Sequence, residues 1–238
     1  MRPFQLYPLG DTAIVLQFGE EIDDNIFPRI RAIAAYLDQH PFPGMMEYVP
    51  AYTTITIYYD PWVISEKGKY DPYAMAVAHM QELLPQAAQE KKQKARTIKI
   101  PVCYGGEYGP DLEFVADHNK LSPKQVIRLH SGADYIVHMI GFAPGFPYLG
   151  GLHKKLATPR KDMPQALIPA GSVGIAGNQT GIYPIETPGG WQLIGRTPLE
   201  LFNPNRETPS LLRAGDIVRF EPISEKQFNA LKEKQHES

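Results

Sequence analysis

The chain has one cysteine in 238 residues, Cys103. That excludes internal disulfides and any cysteine-rich zinc or iron–sulfur centre, and it fits a reducing compartment. Excess charge is also missing: 24 Lys and Arg stand against 26 Asp and Glu, a formal charge of −2. No electrostatic reason exists to expect a nucleic-acid partner. The longest apolar runs, such as Tyr135 to Phe142, are far short of a bilayer span, and the opening MRPFQLYPLGD lacks the basic and apolar regions of a signal peptide. The expectation is a cytoplasmic protein without a membrane partner. The Gly-rich Lys-Ser/Thr phosphate loop, the dinucleotide fingerprint and the His-Glu-x-x-His helix are absent as well. The histidines and carboxylates are scattered, and no metal site is expected.

Proline and glycine are plentiful, 23 and 20 residues, and most lie after residue 100 among short β-rich runs. Two domains are expected: 1–90, a linker at 91–96 (within QEKKQKAR), and 97–238. In the first, FQLYPL and TAIVLQF flank Gly10-Asp11 as a hairpin. Ile26, Ile30, Ile33, Ala34 and Leu37 then keep helical spacing from Asp23 to Gln39. Strands follow at 45–50 and 53–60, and Asp71-Pro72 opens a second helix. The order ββαββα predicts an α+β sandwich.

In the second domain TIKIPVCY reads as a strand, with helices at 110–119 and 123–130, the latter started by the Ser122-Pro123-x-Gln125 capping box. Asp111, Glu113 and Asp117 read as a solvated helix face. Short strands then crowd together in YIVHMIGF, around Leu167, and in SVGIAG, GIYPIET, WQLIGRT, LELF and DIVRFEPI. They predict a closed, mainly-β barrel, followed by a C-terminal helix from Ser224.

Two stretches are candidates for chemistry. From Gly141 to Gly151, glycines and prolines fix an irregular path that presents Phe142, Phe146 and Tyr148, with Pro144 and Gly145 between them; a groove wall and a barrel plug are both open readings. From Gln179-Thr180 through Tyr183 to Pro188-Gly189-Gly190-Trp191 and Arg196, the indole is placed to cap a turn. Arg196 has two readings, a forked donor for a carboxylate or phosphate and a brace for its own loop. Ala170-Gly171-Ser172-Val173-Gly174 resembles a nucleophile elbow, but the following pattern is β, so Ser172 reads as a turn or ligand-facing hydroxyl.

GFAPGFPYLGGL, PAGSVGIAG, QTGIYPIETPGGWQLIGRTPLELF and AGDIVRF, in that order, resemble the signature of the 5-oxoprolinase B-subunit family, long labelled allophanate hydrolase subunit 1. LGDTAIVLQFG and EYVPAYTTITIYYD extend the likeness to nearly the whole chain, which looks especially similar to the KipI kinase-inhibitor branch. The resemblance implies a cyclophilin-like barrel and one component, inactive alone, of an ATP-dependent enzyme that opens 5-oxoproline to L-glutamate with subunits A and C. ATP would be used by the complex, at a site not assignable to this chain. For the KipI branch it implies inhibition of a sporulation histidine kinase through the kinase's dimerisation and phosphotransfer domain. Many relatives carry Pro-Arg where this chain has Pro164-Gln165, which leaves Arg160 as the better anion-binding candidate.

Overall fold

The computed structural model describes residues 4–20, 25–89 and 95–236. The chain divides into two compact units, Met1–Lys94 and Ala95–Ser238. Of the expected linker, 91–94 lie outside the described residues, as does the expected start of the first helix at Asp23.

In the first unit β1 (Gln5–Pro8) and β2 (Ala13–Gln17) form an antiparallel hairpin. Then come α1 (Ile26–Gln39), β3 (Met45–Pro50), β4 (Thr54–Tyr59), α2 (Pro61–Ile64) and α3 (Pro72–Ala87). The strands lie in the order β1-β2-β4-β3. Alternation in β4 buries Ile55, Ile57 and Tyr59, which with Ile14 and Leu16 of β2 meet Ile30, Ile33 and Leu37 of α1 and Met80 and Leu84 of α3. The order is one helix longer than ββαββα. Asp60-Pro61 starts the extra turn, because the Asp60 carboxylate accepts Trp62 N–H at 2.8 Å and Val63 N–H at 3.2 Å.

The second unit runs β5 (Thr97–Tyr104), α4 (Leu112–His118), α5 (Pro123–Ser131), β6 (Asp134–Ile140), β7 (Pro147–Gly150), β8 (Gln165–Ile168), β9 (Ser172–Ala176), β10 (Gln179–Ile182), β11 (Thr187–Gly189), β12 (Gln192–Arg196), β13 (Ile217–Pro222) and α6 (Glu225–His236). Seven strands close a barrel in the order β10-β7-β6-β13-β5-β12-β9, and β8 and β11 form a separate ribbon. Val102, Val137, Leu149, Val173, Ile175, Ile194 and Val218 fill the core. The capping box at Ser122 and Gln125 is formed in full.

Two expectations change, and β6 departs from regular alternation. LELF is not a strand: Leu201 is buried and its carbonyl accepts Leu211 N–H at 2.8 Å, so the segment folds back as a loop with one bridge, Phe202 to Ser210. Within the stretch expected to be irregular, Pro147–Gly150 is a strand, held by β6 on one side and β10 on the other. A register shift between Val137 and Met139 breaks the alternation of β6, so Val137 and His138 are both buried.

Candidate functional site

The β6–β7 connection is tied to itself by Gly141 N–H to Phe146 O (3.0 Å) and Phe146 N–H to Ala143 O (3.0 Å). Gly145 has φ +80°, and a Cβ there would stand 2.8 Å from the Phe202 Cβ, so only glycine fits. Phe142 also has positive φ, +68°, yet carries a ring that is 64% exposed. Phe146 beneath it is buried and meets Phe142, Tyr148, Tyr183 and Trp191 edge-to-face, with centroids 5.4, 5.0, 5.3 and 5.5 Å away. Of the aromatics expected in a groove, Phe146, Tyr183 and Trp191 therefore form a plug, Tyr148 is half-buried at its edge, and Phe142, next to exposed Pro144, faces solvent.

Two glycines make the plug possible. A Cβ on Gly181 would lie 3.0 Å from both the Phe146 and Trp191 rings, and one on Gly189 would lie 2.3 Å from the Tyr183 hydroxyl oxygen. Burial raises the Tyr183 pKa, against the opposing pull of the Trp191 backbone N–H and the Arg160 charge.

Arg160 is exposed, but its neighbours in the chain are held. Gln192 Nε2 donates to Pro159 O at 3.0 Å, Lys161 N–H donates to Gly190 O at 2.7 Å, and Lys161 Nζ meets the Asp111 carboxylate at 2.7 Å. Arg160 thereby lies within electrostatic reach of Tyr183, with Gly190 and Trp191 in the turn between β11 and β12 next to its segment; Pro188 is exposed there. Asp111 is not part of a solvated face. Its Oδ2 also accepts Leu193 N–H at 2.7 Å, which ties the start of α4 to β12.

The remaining candidates serve the barrel. Ser172 is buried and donates to Pro169 O at 2.7 Å; strands rather than a helix follow it, so there is no nucleophile elbow. Arg196 Nε donates to Ala170 O at 2.8 Å and braces the turn before β9. Thr180 is fully buried between His130 and Gly174 O, and Gln179 opens β10 opposite Ala176. Residue-level reading missed His130, which α5 carries into the core, and Lys161, for which no local signal exists.

A sheet unit followed by a closed barrel with this arrangement is the carboxyltransferase domain, subdomain C and D, whose family model matches residues 4–212. The 5-oxoprolinase B subunit of Bacillus subtilis is 52% identical over 97% of each chain, and that of Escherichia coli O157:H7 is 44% identical over 94% of this chain and 99% of its own. Among solved structures, the protein TTHA0988 superposes with a TM-score of 0.76 at 38% identity, over 89% of this chain and 40% of that longer one. The chain belongs to the 5-oxoprolinase B-subunit family.

Proposed function

We propose that this chain is the B component of an ATP-dependent 5-oxoprolinase, inactive alone and completed by subunits A and C. The observation that carries the reading is the end-to-end match, 52% identity over 97% of both chains, to a protein of that name. An amide is a poor electrophile at neutral pH. Phosphoryl transfer from ATP to the lactam oxygen releases ADP and activates the ring carbonyl carbon; one water adds there, the C–N bond breaks to leave the phosphate on the new side-chain carboxyl, and a second water releases it, so that 5-oxoproline, ATP and two waters give L-glutamate, ADP and phosphate.

This chain's part in the scheme is recognition. Arg160, exposed between two tethered neighbours, offers a charged fork to the carboxylate of 5-oxoproline. The edge of the aromatic plug at Tyr148 and the Gly189–Gly190 backbone supply a wall beside it. In this reading ATP is used by the complex. Phe142 and Pro144 form the contact to a partner subunit.

Glutamate release from 5-oxoproline and ATP tests the reading with the chain alone, with subunits A and C alone, and with all three. Turnover only in the full mixture is expected; equal turnover without this chain sinks the proposal. The same exposed Phe142 ring suits an apolar helix face, and so favours the second reading: a KipI-type inhibitor docking on the dimerisation and phosphotransfer helices of a histidine kinase. Loss of kinase autophosphorylation on adding the chain, with every oxoprolinase mixture silent, would select it.

A further inference from the structure

Lys161 and Asp111 lie 50 positions apart and meet with side chains only 17% and 16% exposed. The pair is one knot in a larger tie. The Asp111 backbone N–H donates to Leu193 O at 2.8 Å while its Oδ2 accepts Leu193 N–H at 2.7 Å, so α4 grips the start of β12 at both polar groups of one residue. Gly109, two residues earlier, has no room for a side chain, because a Cβ would sit 2.1 Å from Ile194 O. The carboxylate that holds β12 also holds the Lys161 ammonium. Lys161 in turn takes Gly190 O on its backbone N–H, and the residue before Arg160 is held by Gln192. Every tether of the Arg160 segment on this side therefore ends on residues 190–193 or on the carboxylate that fixes them.

We propose that Asp111 and Lys161 are positioning residues: their ion pair locks the Arg160 segment to the Gly190–Trp191 turn and so sets the distance between the arginine and the wall against which a small carboxylate ligand is read. The pair touches no ligand. Its effect is on the precision of the Arg160–Trp191 face, where a displacement of about 1 Å weakens binding strongly. The activity arm of the test rests on the 5-oxoprolinase reading; the optical arm does not.

The chain has two tryptophans, and Trp62→Phe leaves buried Trp191 as the sole indole reporter. In that background Lys161→Met and Asp111→Asn are compared. Asn keeps an acceptor for Leu193 N–H, so the Asp111 variant stays folded even where the ion pair is lost. Expected are a red-shifted Trp191 emission for both variants, the same shift for the double variant, and near-normal emission for Lys161→Arg. In the three-subunit mixture, KM for 5-oxoproline rises about 10-fold or more with kcat within about threefold. A lower melting temperature with unchanged emission and unchanged KM would mean a merely structural pair and overturn the proposal. If the wild-type mixture shows no turnover, the 5-oxoprolinase reading fails, and the emission of the four variants still decides whether the pair sets the turn.

Discussion

The Thr180 hydroxyl stands 3.0 Å from His130 Nε2 and donates its one proton to the Gly174 carbonyl at 2.9 Å. Nε2 must then be the donor of that contact, and Nδ1, 2.8 Å from the Tyr104 hydroxyl, the acceptor. The network therefore specifies a neutral imidazole in one tautomer. The rings of Phe220 and Tyr135 pack on it at 4.4 and 5.3 Å, and burial lowers its pKa from 6.5 to about 3.

Stability must follow. Between pH 6.5 and about 3 the unfolded chain binds a proton at this histidine that the folded chain refuses. Stability is therefore full above the unfolded pKa and falls as pH drops through that window, by about 1.4 kcal/mol per pH unit from this group. His130→Gln should be less stable at pH 7 but visibly flatter between pH 6.5 and 4. Urea midpoints of both proteins across that range check it, and parallel curves would remove His130 as the cause.

Gly181→Ala is expected to cost about 2 kcal/mol, an overpacking penalty, since the new methyl would press on the Phe146 ring, the Trp191 ring and Pro147 O, each 3.0 Å away. Denaturant unfolding gives the number. Phe146 and Trp191 also pack edge-to-face on each other, so their rings cannot yield without opening the plug. A loss below about 0.5 kcal/mol would show that the plug is loosely packed.

What the sequence reveals and what it hides divide along local and non-local lines. Asp71-Pro72 and the Ser122–Gln125 box announce their helices because a cap is made within four residues. Asp60-Pro61 carries the same cue, but it sits against the β-rich TTITIYY run and opens only one turn, so the strand pattern masks it. Pro147–Gly150 has no strand signal of its own and is a strand because β6 and β10 lie beside it. LELF looks like a strand and is not, because its pairing goes no further than the single bridge from Phe202 to Ser210. At the site, the sequence shows that aromatics and glycines cluster. Which rings sink is decided by the absence of Cβ atoms at Gly181 and Gly189, and the Asp111–Lys161 pair forms because Asp111 is tied to Leu193 of β12 and Lys161 to Gly190 just before it.

Phe142 should separate partner binding from folding. A non-glycine residue at φ +68° stores about 1 kcal/mol, and the exposed ring returns little of it in the isolated chain. Phe142→Gly is therefore expected to keep or slightly raise the melting temperature while raising the concentration of subunits A and C needed for half-maximal turnover. Phe146→Ala is the contrasting case: it removes a buried ring and should cost about 3–5 kcal/mol before any partner is added. Unchanged subunit titration with Phe142→Gly would free that surface from the assembly.

Arg160 carries the specificity argument. If its guanidinium reads the substrate carboxylate, Arg160→Met should raise KM for 5-oxoproline by about 10- to 100-fold with a smaller change in kcat, and lysine should recover part of the loss. The sharper comparison uses the neutral carboxamide analogue of 5-oxoproline. The wild-type mixture should prefer the acid, because a forked cation gains more from an ionised acceptor than from an amide oxygen. In Arg160→Met the two compounds should become nearly equal. The Met variant has little reason to unfold, since the residues on both sides of position 160 stay tied through Pro159 O and Lys161 N–H, neither of which involves the arginine side chain. If discrimination between acid and amide survives the substitution, the carboxylate is bound by a group on another subunit, and Arg160 is left as a surface charge beside Tyr183.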